Sequence, residues 1–313
     1  MSKSNAQVKI PVMLVSPNKE IGRIQFPCFA QTKMDGMRGV IVKRDGRVVV
    51  FSRNGNTMTK LDKHFEAALS SIDNVVLDGE LTVVDSEGKL LDRKTGNGIL
   101  NKTVVETVSD EEVSRVRFTA WDLIDVCDFD KGIDRRTGVE RLARLRAIPK
   151  LFDVESGTQL FRIVETFEVA NLEEAQQLFK EQLAKGEEGI ILKNNDHVWE
   201  NKRSKQCVKM KEVIEMDLKI TGFAEGTGKA SGMTGAIQVE NKDGSIKTSV
   251  GTGLDDATRK DIWARQEELI GTIVTVKCNG VISRKGADSK SLFLPVFVEL
   301  RLDKPNPTNQ YIY

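Results

Sequence analysis

The segment QTKMDGMRG, residues 31–39, places a lysine, an aspartate, a glycine and an arginine close together between two apolar stretches. Lys33 can attack phosphorus if its amine is neutral, and burial and neighbouring cations favour the neutral form. Gly36 permits a turn that brings the backbone close to a phosphate or a ribose, and Arg38 can donate parallel hydrogen bonds to either. The alternative is a charged surface turn, because so short a pattern recurs by chance.

Six further blocks of polar and charged residues follow. They are FSRNGN (51–56), LDGEL (77–81), AWDLI (120–124), EEGIILK (187–193), CVKMK (207–211) and RLDK (301–304). In the block CVKMK, Lys209 and Lys211 alternate on one face of a predicted strand, with Met210 on the other. Lysines on a buried face are costly unless an anion compensates their charge, whereas lysines on an edge strand protect it from aggregation.

Taken in order, the seven blocks resemble the motif set of the covalent nucleotidyltransferases. This group contains ATP-dependent DNA ligases, RNA ligases and mRNA capping enzymes. The overall length, a two-domain layout and the segment DRKTGNGIL (92–100) are most similar to the small ATP-dependent DNA ligases of bacteriophages. The resemblance implies an enzyme that seals nicks with a 5′-phosphate and a 3′-hydroxyl in duplex DNA.

The resemblance also implies how the reaction proceeds. Lys33 takes AMP from ATP as a phosphoramide, passes it to the 5′-phosphate at a nick, and the 3′-hydroxyl then displaces it. The implied catalytic residues are Lys33, Lys209, Lys211 and Lys304.

The residues implied to bind the nucleotide lie in the same blocks. Gln31 faces adenine, Thr32 contributes backbone contacts only, and Trp121 stacks on adenine, with Phe118 as the other aromatic candidate. The remaining cofactor-binding residues are Arg38 and Glu80 at the ribose, Lys193 beside Lys209 and Lys211 at the α-phosphate, and Arg301 with Lys304 at the β- and γ-phosphates.

A magnesium ion and DNA complete the implied site. Glu188 and Glu80 are the expected Mg²⁺ ligands, with Glu187 competing for the role of Glu188, because Mg²⁺ needs only one or two protein carboxylates when phosphates supply other oxygens. Arg53 and Arg38 are expected at the nick. The candidates for further contacts to DNA phosphates are cations of the predicted surface: Lys202, Arg203, Lys205, Lys229, Arg284, Lys285 and Lys290.

Local patterns predict the elements that must position these side chains. Residues 39–56 form a hairpin around Asp45-Gly46. Strands are expected over 74–85, with Asp78 in a turn, and over 117–126, 187–194 and 206–213. Residues 63–72 form a helix, and so does 171–186, which Asn171 caps and Gly186 ends. The stretch 85–104 is expected to be a mobile surface loop.

The fold class is therefore α+β. Residues 1–214 form a nucleotidyltransferase domain of packed antiparallel sheets and helices, and residues 215–313 form an OB-fold barrel. The net charge of +1, from 47 basic and 46 acidic residues, neither indicates nor excludes a nucleic-acid partner. Four scattered cysteines suggest no zinc site or disulfide. We expect a cytoplasmic monomer, in the host cytoplasm if phage-encoded, with no membrane partner.

Two rival functions remain open at this stage. One is an RNA ligase or capping-type nucleotidyltransferase, with the same lysine chemistry and a different acceptor. The other is a non-catalytic OB-fold protein that binds nucleic acid. NAD⁺ is disfavoured as the adenylate donor, because the chain leaves no room for an additional nicotinamide-recognition domain before residue 31.

Overall fold

The computed structural model describes residues 8–148, 160–283 and 288–308 of the 313-residue chain. The chain divides into two compact units, one ending at Lys211 and the other beginning at Glu212. From the sequence alone, we expect this boundary between residues 214 and 215. Among the described residues, no helix is both long and apolar enough to span a bilayer.

Unit 1 is built from two five-stranded sheets. The first sheet has the spatial order β1 (Leu14–Ser16), β12 (Arg203–Lys211), β10 (Gly189–Lys193), β2 (Cys28–Lys33) and β9 (Thr166–Val169). The second has the order β4 (Arg47–Ser52), β3 (Met37–Arg44), β5 (Val75–Val83), β6 (Val116–Asp125) and β8 (Phe161–Ile163). A short pair, β7 (Ile133–Asp134) and β11 (Trp199–Glu200), accompanies them.

Apolar side chains hold the two sheets of unit 1 together. Val40, Val42 and Val76 of the second sheet pack in one buried cluster with Cys207 of the first sheet and with Met13, which precedes β1. Burial of such side chains stabilises the packing by roughly 1.5–3 kcal/mol each. This packing therefore fixes the position of the two sheets relative to each other. It also fixes the positions of the polar residues that interrupt their apolar surfaces.

Helices cover the outer faces of both sheets. The helices of unit 1 are α1 (Leu61–Glu66), α2 (Arg93–Val104), α3 (Asp110–Ser114), α4 (Val126–Lys131), α5 (Gly138–Arg146) and α6 (Leu172–Ala184), with a 3₁₀ helix at Asn18–Arg23. The side chain of Asn171 accepts a hydrogen bond from the backbone N–H of Glu174 at the start of α6. The predicted capped helix over 171–186 is thereby confirmed.

The hairpin prediction is also confirmed. Strands β3 and β4 pair from Gly39–Ser52 to Arg44–Arg47. Asp45 and Gly46 between them have φ angles of 47° and 76°, which is the backbone that a tight two-residue turn requires.

Two local predictions are wrong, and a third has the wrong bounds. The helix expected over 63–72 begins at Leu61 and ends at Glu66. Asp78 lies inside the continuous strand β5 and not in a turn. The expected mobile loop over 85–104 contains the twelve-residue helix α2, which Asp92 caps by accepting from Lys94 and Thr95. Ile99 and Leu100 pack this helix against the core. The free energy gained by that burial outweighs the unfavourable helix propensity of its two glycines.

Unit 2 is an OB-like sheet with two short helices. Its sheet has the order β15 (Lys247–Val250), β14 (Thr234–Glu240), β13 (Ile214–Glu225), β16 (Ile273–Cys278) and β19 (Val296–Arg301). The other elements are the hairpin β17 (Val281–Ser283) and β18 (Lys290–Leu292), the helices α7 (Asp256–Ala264) and α8 (Gln266–Leu269), and a 3₁₀ turn at Gly228–Ala230. Within the part of the chain that is described, its edge strands meet only at the bridge Thr252–Val296, so no continuous ladder closes a barrel.

We predict that Gly79→Ala destabilises unit 1 by at least about 2 kcal/mol, because the added methyl overpacks a strand crossing. Its Cβ would lie 2.4 Å from the backbone oxygen of Thr119 and 2.5 Å from the ring of Phe118. Chemical denaturation measures the change in the free energy of unfolding.

The matched control is Gly98→Ala in α2, where nothing lies within 4 Å of the added Cβ. This control should stabilise the protein by about 0.5–1 kcal/mol, since glycine is unfavourable in a helix. Equal stability of the two variants would contradict the packing described for β5 and β6.

Candidate active site

Lys33 is the last residue of β2, an interior strand of the first sheet. It pairs with Gly189 on β10, and Gly189 pairs in turn with Lys211 on β12. Directly paired residues of neighbouring strands point to the same face, so the two lysines flank a position that has no side chain. A Cβ at Gly189 would lie 2.2 Å from the backbone oxygen of Met210, which keeps that position open.

Glu188 is the carboxylate that faces Lys33. Its side chain forms an ion pair with the Lys33 amine, and the two side chains are 24% and 19% exposed. The neighbouring Glu187 points elsewhere, where burial first and Glu165 second raise its pKa. The structure thus selects Glu188 over the competing Glu187 as the partner of the lysine.

Glu80 approaches the same lysine from the second sheet. It accepts a 3.0 Å hydrogen bond from the backbone N–H of Gly36. Burial raises the pKa of Glu80 to about 7; Lys33 and the Gly36 N–H oppose this rise, and Glu188 adds to it. Two carboxylates from different sheets therefore converge on Lys33.

Arg38 is held by a buried acid in the second sheet. Its Nε donates to Asp78 Oδ1 at 2.8 Å, Nη2 donates to Oδ2 at 2.5 Å, and Nη1 donates to the backbone oxygen of Met13 at 2.8 Å. These bonds occupy part of the guanidinium that we expect at a phosphate or a ribose oxygen. Three of its N–H groups are occupied, and two remain.

Trp121 stands beside this pair. Its ring centroid lies 5.6 Å from the Arg38 guanidinium. The register passes from Asp78–Asp122 to Gly79–Ala120, so Trp121 is the extra residue of a β-bulge, a feature that re-aims a side chain. Phe118 points the other way, and its ring packs 5.7 Å from that of Phe161 in the core. Of the two aromatic candidates, only Trp121 is left for a nucleotide.

Gln31 and Thr32 point to opposite faces of β2. The Gln31 Nε2 donates to the backbone oxygen of Trp121 at 3.4 Å and lies 3.5 Å from Thr166 Oγ1. The Thr32 hydroxyl donates to Gln182 Oε1 at 3.2 Å. Gln31 is thus on the side of Lys33 and Trp121, and the Thr32 side chain is not.

Cations gather on the same face as Lys33. The pKa of Lys209 is lowered by burial and then by the charges of Lys33, Arg203 and Arg53. The pKa of Lys211 is lowered by burial and then by Lys209 and Lys33. Arg53, an exposed residue of the turn after β4, is therefore close enough to add to one positive field.

Lys193 does not join this group. It lies four residues beyond Gly189 on β10, a distance of about 13 Å along the strand. It is only 4% exposed, and burial lowers its pKa. Asp122 opposes this lowering and Arg141 adds to it, so Lys193 belongs to a buried ionic group and is not among the charges that act on Lys209 and Lys211.

A buried ionic network beneath Trp121 escaped the sequence reasoning. Arg141 donates from Nε to Asp122 Oδ1 at 2.8 Å and from Nη2 to Oδ2 at 3.1 Å, and its side chain is fully buried. His197 Nε2 lies 3.0 Å from Arg141 Nη2, and burial lowers the pKa of His197 to about 3. His197 is therefore neutral at physiological pH and serves the network as a hydrogen-bonding group.

Helix α2 also reaches the site, which the sequence did not predict. Arg93 at its first turn forms an ion pair with Asp35, and Asn97 donates to the backbone oxygen of Gly36 at 3.5 Å. The helix thus holds the loop that follows Lys33. The signal in the sequence was Asp92 followed by two polar residues, a capping pattern that the nearby glycines obscured.

Unit 2 holds the remaining candidates. Arg301 donates to Asp303 at 2.9 and 2.7 Å, which raises its pKa, and Lys304 forms an ion pair with Asp217. Among the expected DNA contacts, Lys229 and Lys290 are exposed. Arg284 and Lys285 lie outside the described residues.

Comparison with known proteins assigns the chain to a family. Residues 12–211 match the family described as ATP dependent DNA ligase domain, and residues 225–301 match DNA ligase OB-like domain. The chain belongs to the ATP-dependent DNA ligase family. This membership confirms the predicted enzyme class, the use of ATP and the order of the two folds, and it favours neither rival function.

Comparison with individual proteins leads to the same family. The chain is 33% identical to the DNA ligases of Enterobacteria phages T4 and T6, over 94% of its own length and 69% of theirs. In fold it resembles the solved structure Pmar-Lig_PreS3, with a TM-score of 0.74 and 24% identity, over 94% of this chain and 68% of the other.

The raised pKa of Glu80 gives a testable pH dependence. Burial raises the pKa of this carboxyl from an ordinary 4.5 to about 7 in the folded protein, so the folded state binds more protons than the unfolded state between these pH values. The free energy of unfolding should then fall as the pH rises through this window, by up to about 3 kcal/mol from this group. Glu80→Gln should lack that loss, as urea unfolding at pH 4.5 and pH 8 will measure in the absence of divalent cations.

The exposed Glu87, changed to Gln, is the matched control and should follow the pH dependence of the unmodified chain. If Glu80→Gln shows that same dependence, the carboxyl is solvated and the description of the site is wrong.

Proposed function

We propose that Lys33 accepts AMP from ATP and that the enzyme uses this adenylate to seal nicks in duplex DNA. The observation that carries the proposal is the convergence on Lys33 of Glu188, Glu80, Lys209 and Lys211, which come from three different strands or strand ends. A solvated surface lysine has no such surroundings. They are the groups that a nucleophile, a nucleotide phosphate and a divalent cation require.

The proposed reaction has three steps. The Lys33 nitrogen loses a proton to water and bonds to the α-phosphorus of ATP, while the bond to the bridging oxygen breaks and pyrophosphate leaves. An oxygen of the DNA 5′-phosphate then attacks the same phosphorus, the nitrogen–phosphorus bond breaks, and Lys33 regains a proton. Finally the 3′-hydroxyl oxygen attacks the activated 5′-phosphate, its proton is lost, and AMP leaves.

Charged groups position Lys33 for the first step. The ion pair with Glu188 holds the Lys33 side chain in place. Lys209 and Lys211 lie on the same face of the sheet as Lys33. The same two lysines then stabilise the negative charge that develops on the α-phosphate.

The base and the ribose fit the neighbouring groups. Trp121 offers a ring face for stacking on adenine, and Gln31 lies on the same side with its amide nitrogen already engaged. The amide oxygen of Gln31 is then the group that accepts from the exocyclic amine of adenine. Glu80 and the two remaining N–H groups of Arg38 are placed for the ribose hydroxyls.

The carboxylates at Lys33 also fit a magnesium ion. Among the described residues, no cluster of three or more histidine, cysteine or acidic side chains could hold a metal unaided. Mg²⁺ is commonly held by one or two carboxylates together with substrate phosphates, and Glu188 and Glu80 supply that number. When bound, the ion would supply positive charge beside the phosphates, and Glu188 and Glu80 would hold it.

Unit 2 takes part in the first step in this proposal. Arg301 and Lys304 orient the β- and γ-phosphates so that pyrophosphate leaves opposite the lysine, and a movement of unit 2 near residues 212–217 then admits DNA. Each of these cations has an acidic partner in unit 2, Asp303 or Asp217, and exchanges it for phosphate. We propose that the enzyme acts as a monomer, since every assigned group belongs to one chain.

Lys33→Ala should abolish self-adenylation completely, because the variant lacks the nucleophile. The measurement is intact-protein mass spectrometry after incubation with ATP and Mg²⁺, in which the unmodified chain gains the mass of one AMP. The exposed Lys131, changed to Ala, is the control and should be adenylated normally.

A gain of AMP by the Lys33 variant would refute the assignment. Sealing of an all-DNA nick compared with one that has an RNA strand then tests the acceptor. Faster sealing of the RNA-containing nick would favour the RNA-ligase alternative.

A further inference from the structure

Asp217 is a buried carboxylate near the start of unit 2. It lies on β13, shortly after unit 1 ends at Lys211, and its side chain is 0% exposed. Its neighbours on β13, Met216 and Leu218, belong to the core of unit 2, so Asp217 points to the opposite face of the sheet. A charge buried there is costly unless it is paired, and the partners of Asp217 therefore matter.

Two side chains satisfy this carboxylate. Thr275, its direct neighbour on β16, donates from its hydroxyl to Asp217 Oδ1 at 2.6 Å. Lys304 forms an ion pair with Asp217 Oδ2 across 87 positions of sequence. Burial by itself would raise the pKa of Asp217, but the hydrogen bonds from Lys304 and Thr275 outweigh burial and lower that pKa. The carboxyl is thus ionised at neutral pH, and Lys304 is the cation that it holds.

The backbone also fastens the segment that carries Lys304. After β19 the chain turns, and the Lys304 N–H donates to the backbone oxygen of Arg301 at 3.1 Å. The N–H of Thr308 then donates to the backbone oxygen of Asp217 at 2.9 Å. Pro305 and Pro307 lie between these two points and restrict the backbone. Asp217 therefore binds the segment 304–308 at both ends, once through its side chain and once through its backbone.

The two cations assigned to the β- and γ-phosphates are held differently. Arg301 pairs with Asp303, whose side chain is 65% exposed, so water solvates that carboxylate when the arginine leaves. Asp217 is fully buried, and the departure of Lys304 leaves its charge without a cation. The loss of a surface pair costs little, whereas the loss of one partner of a buried pair is strongly unfavourable. Asp217 therefore competes with phosphate for Lys304 much more strongly than Asp303 competes for Arg301.

We propose that Asp217 is a positioning residue that takes Lys304 back from pyrophosphate after the first step. The inference rests on the proposed function, in which Lys304 leaves Asp217 to contact the β- and γ-phosphates. While the lysine is away, the carboxylate keeps only the Thr275 hydrogen bond. Once pyrophosphate is no longer bonded to AMP, fewer contacts hold it, and the buried carboxylate regains the lysine. The enzyme thereby releases pyrophosphate and frees unit 2 for the movement that admits DNA.

Asp217→Asn tests this proposal in the full chain. The amide keeps an oxygen that accepts from Thr275 but removes the charge that attracts Lys304. We expect the KM for ATP in self-adenylation and the inhibition constant for added pyrophosphate both to fall roughly tenfold, because a charged hydrogen bond no longer competes. Sealing of a nick that already carries a 5′-adenylate, measured without ATP, should stay within about twofold of the unmodified rate. A raised KM for ATP, or an equal loss in both reactions, would overturn the proposal.

Thr275→Val gives a change of opposite sign at the same carboxylate. The methyl group of valine replaces the hydroxyl and cannot donate, so Asp217 depends more on Lys304. The KM for ATP and the pyrophosphate constant should then rise, by about threefold. A general loss of stability would not shift the two variants in opposite directions, so this variant decides the question if Asp217→Asn folds poorly, as judged by its melting temperature. Constants that fall in Thr275→Val would contradict the proposed competition.

Lys304→Gln shows whether Asp217 acts through the lysine. In this background, Asp217→Asn should cause no further change in the KM for ATP, because the side chain that it releases is absent. A further fall would mean that Asp217 acts by another route, and the assignment would be lost.

The matched control is Asp261→Asn. Asp261 is an exposed carboxylate of α7 in unit 2 and pairs with Arg265, so the substitution removes the same charge from a helix that carries no assigned residue. Both constants should remain those of the unmodified enzyme. A fall like that of Asp217→Asn would indicate an effect of net charge alone and would overturn the proposal.

The unmodified chain distinguishes this inference from the proposed function. If it takes up no AMP from ATP, the proposed function fails and the role of Asp217 fails with it. If it is adenylated and Asp217→Asn leaves both constants unchanged, only the role of Asp217 fails.

Discussion

The ion pair between Lys33 and Glu188 is the interaction on which the site depends. It joins the end of β2 to the start of β10, beside a glycine that leaves room for a ligand. The carboxylate of Glu188 holds the Lys33 amine in place through this pair. The surrounding cations, the second carboxylate of Glu80 and the phosphates of a bound nucleotide are the charges within reach.

Buried ionic groups keep this region rigid. Arg38 is fixed by Asp78, and Arg141 is fixed by Asp122, the residue that follows Trp121 in the sequence. Breaking a buried pair by removing one partner is strongly destabilising, commonly by about 3–5 kcal/mol. The Trp121 ring proposed to stack on adenine therefore lies beside an arginine that is itself fixed by a buried acid.

The sequence predicted a large part of the fold and of the site, and the reasons are local. The hairpin at Asp45-Gly46 and the helix capped by Asn171 are encoded by residues next to one another. The alternation of Lys209, Met210 and Lys211 gave the correct inward face for the two lysines. Helix α2 was missed, because its stability comes from the burial of Ile99 and Leu100 against distant strands.

The sequence by itself determined the family, the order of the two folds and the identity of the nucleophile, because these follow from motifs read along the chain. Only the tertiary structure decided that Glu188 and not Glu187 faces Lys33, that Lys193 is buried away from the other lysines, and that Arg38 is engaged by Asp78. Each of these outcomes depends on the pairing register and packing of strands that are far apart in sequence. The order of residues along the chain does not by itself specify which distant side chain will contact a charged group, because that contact depends on how all the strands of the sheet pair and pack.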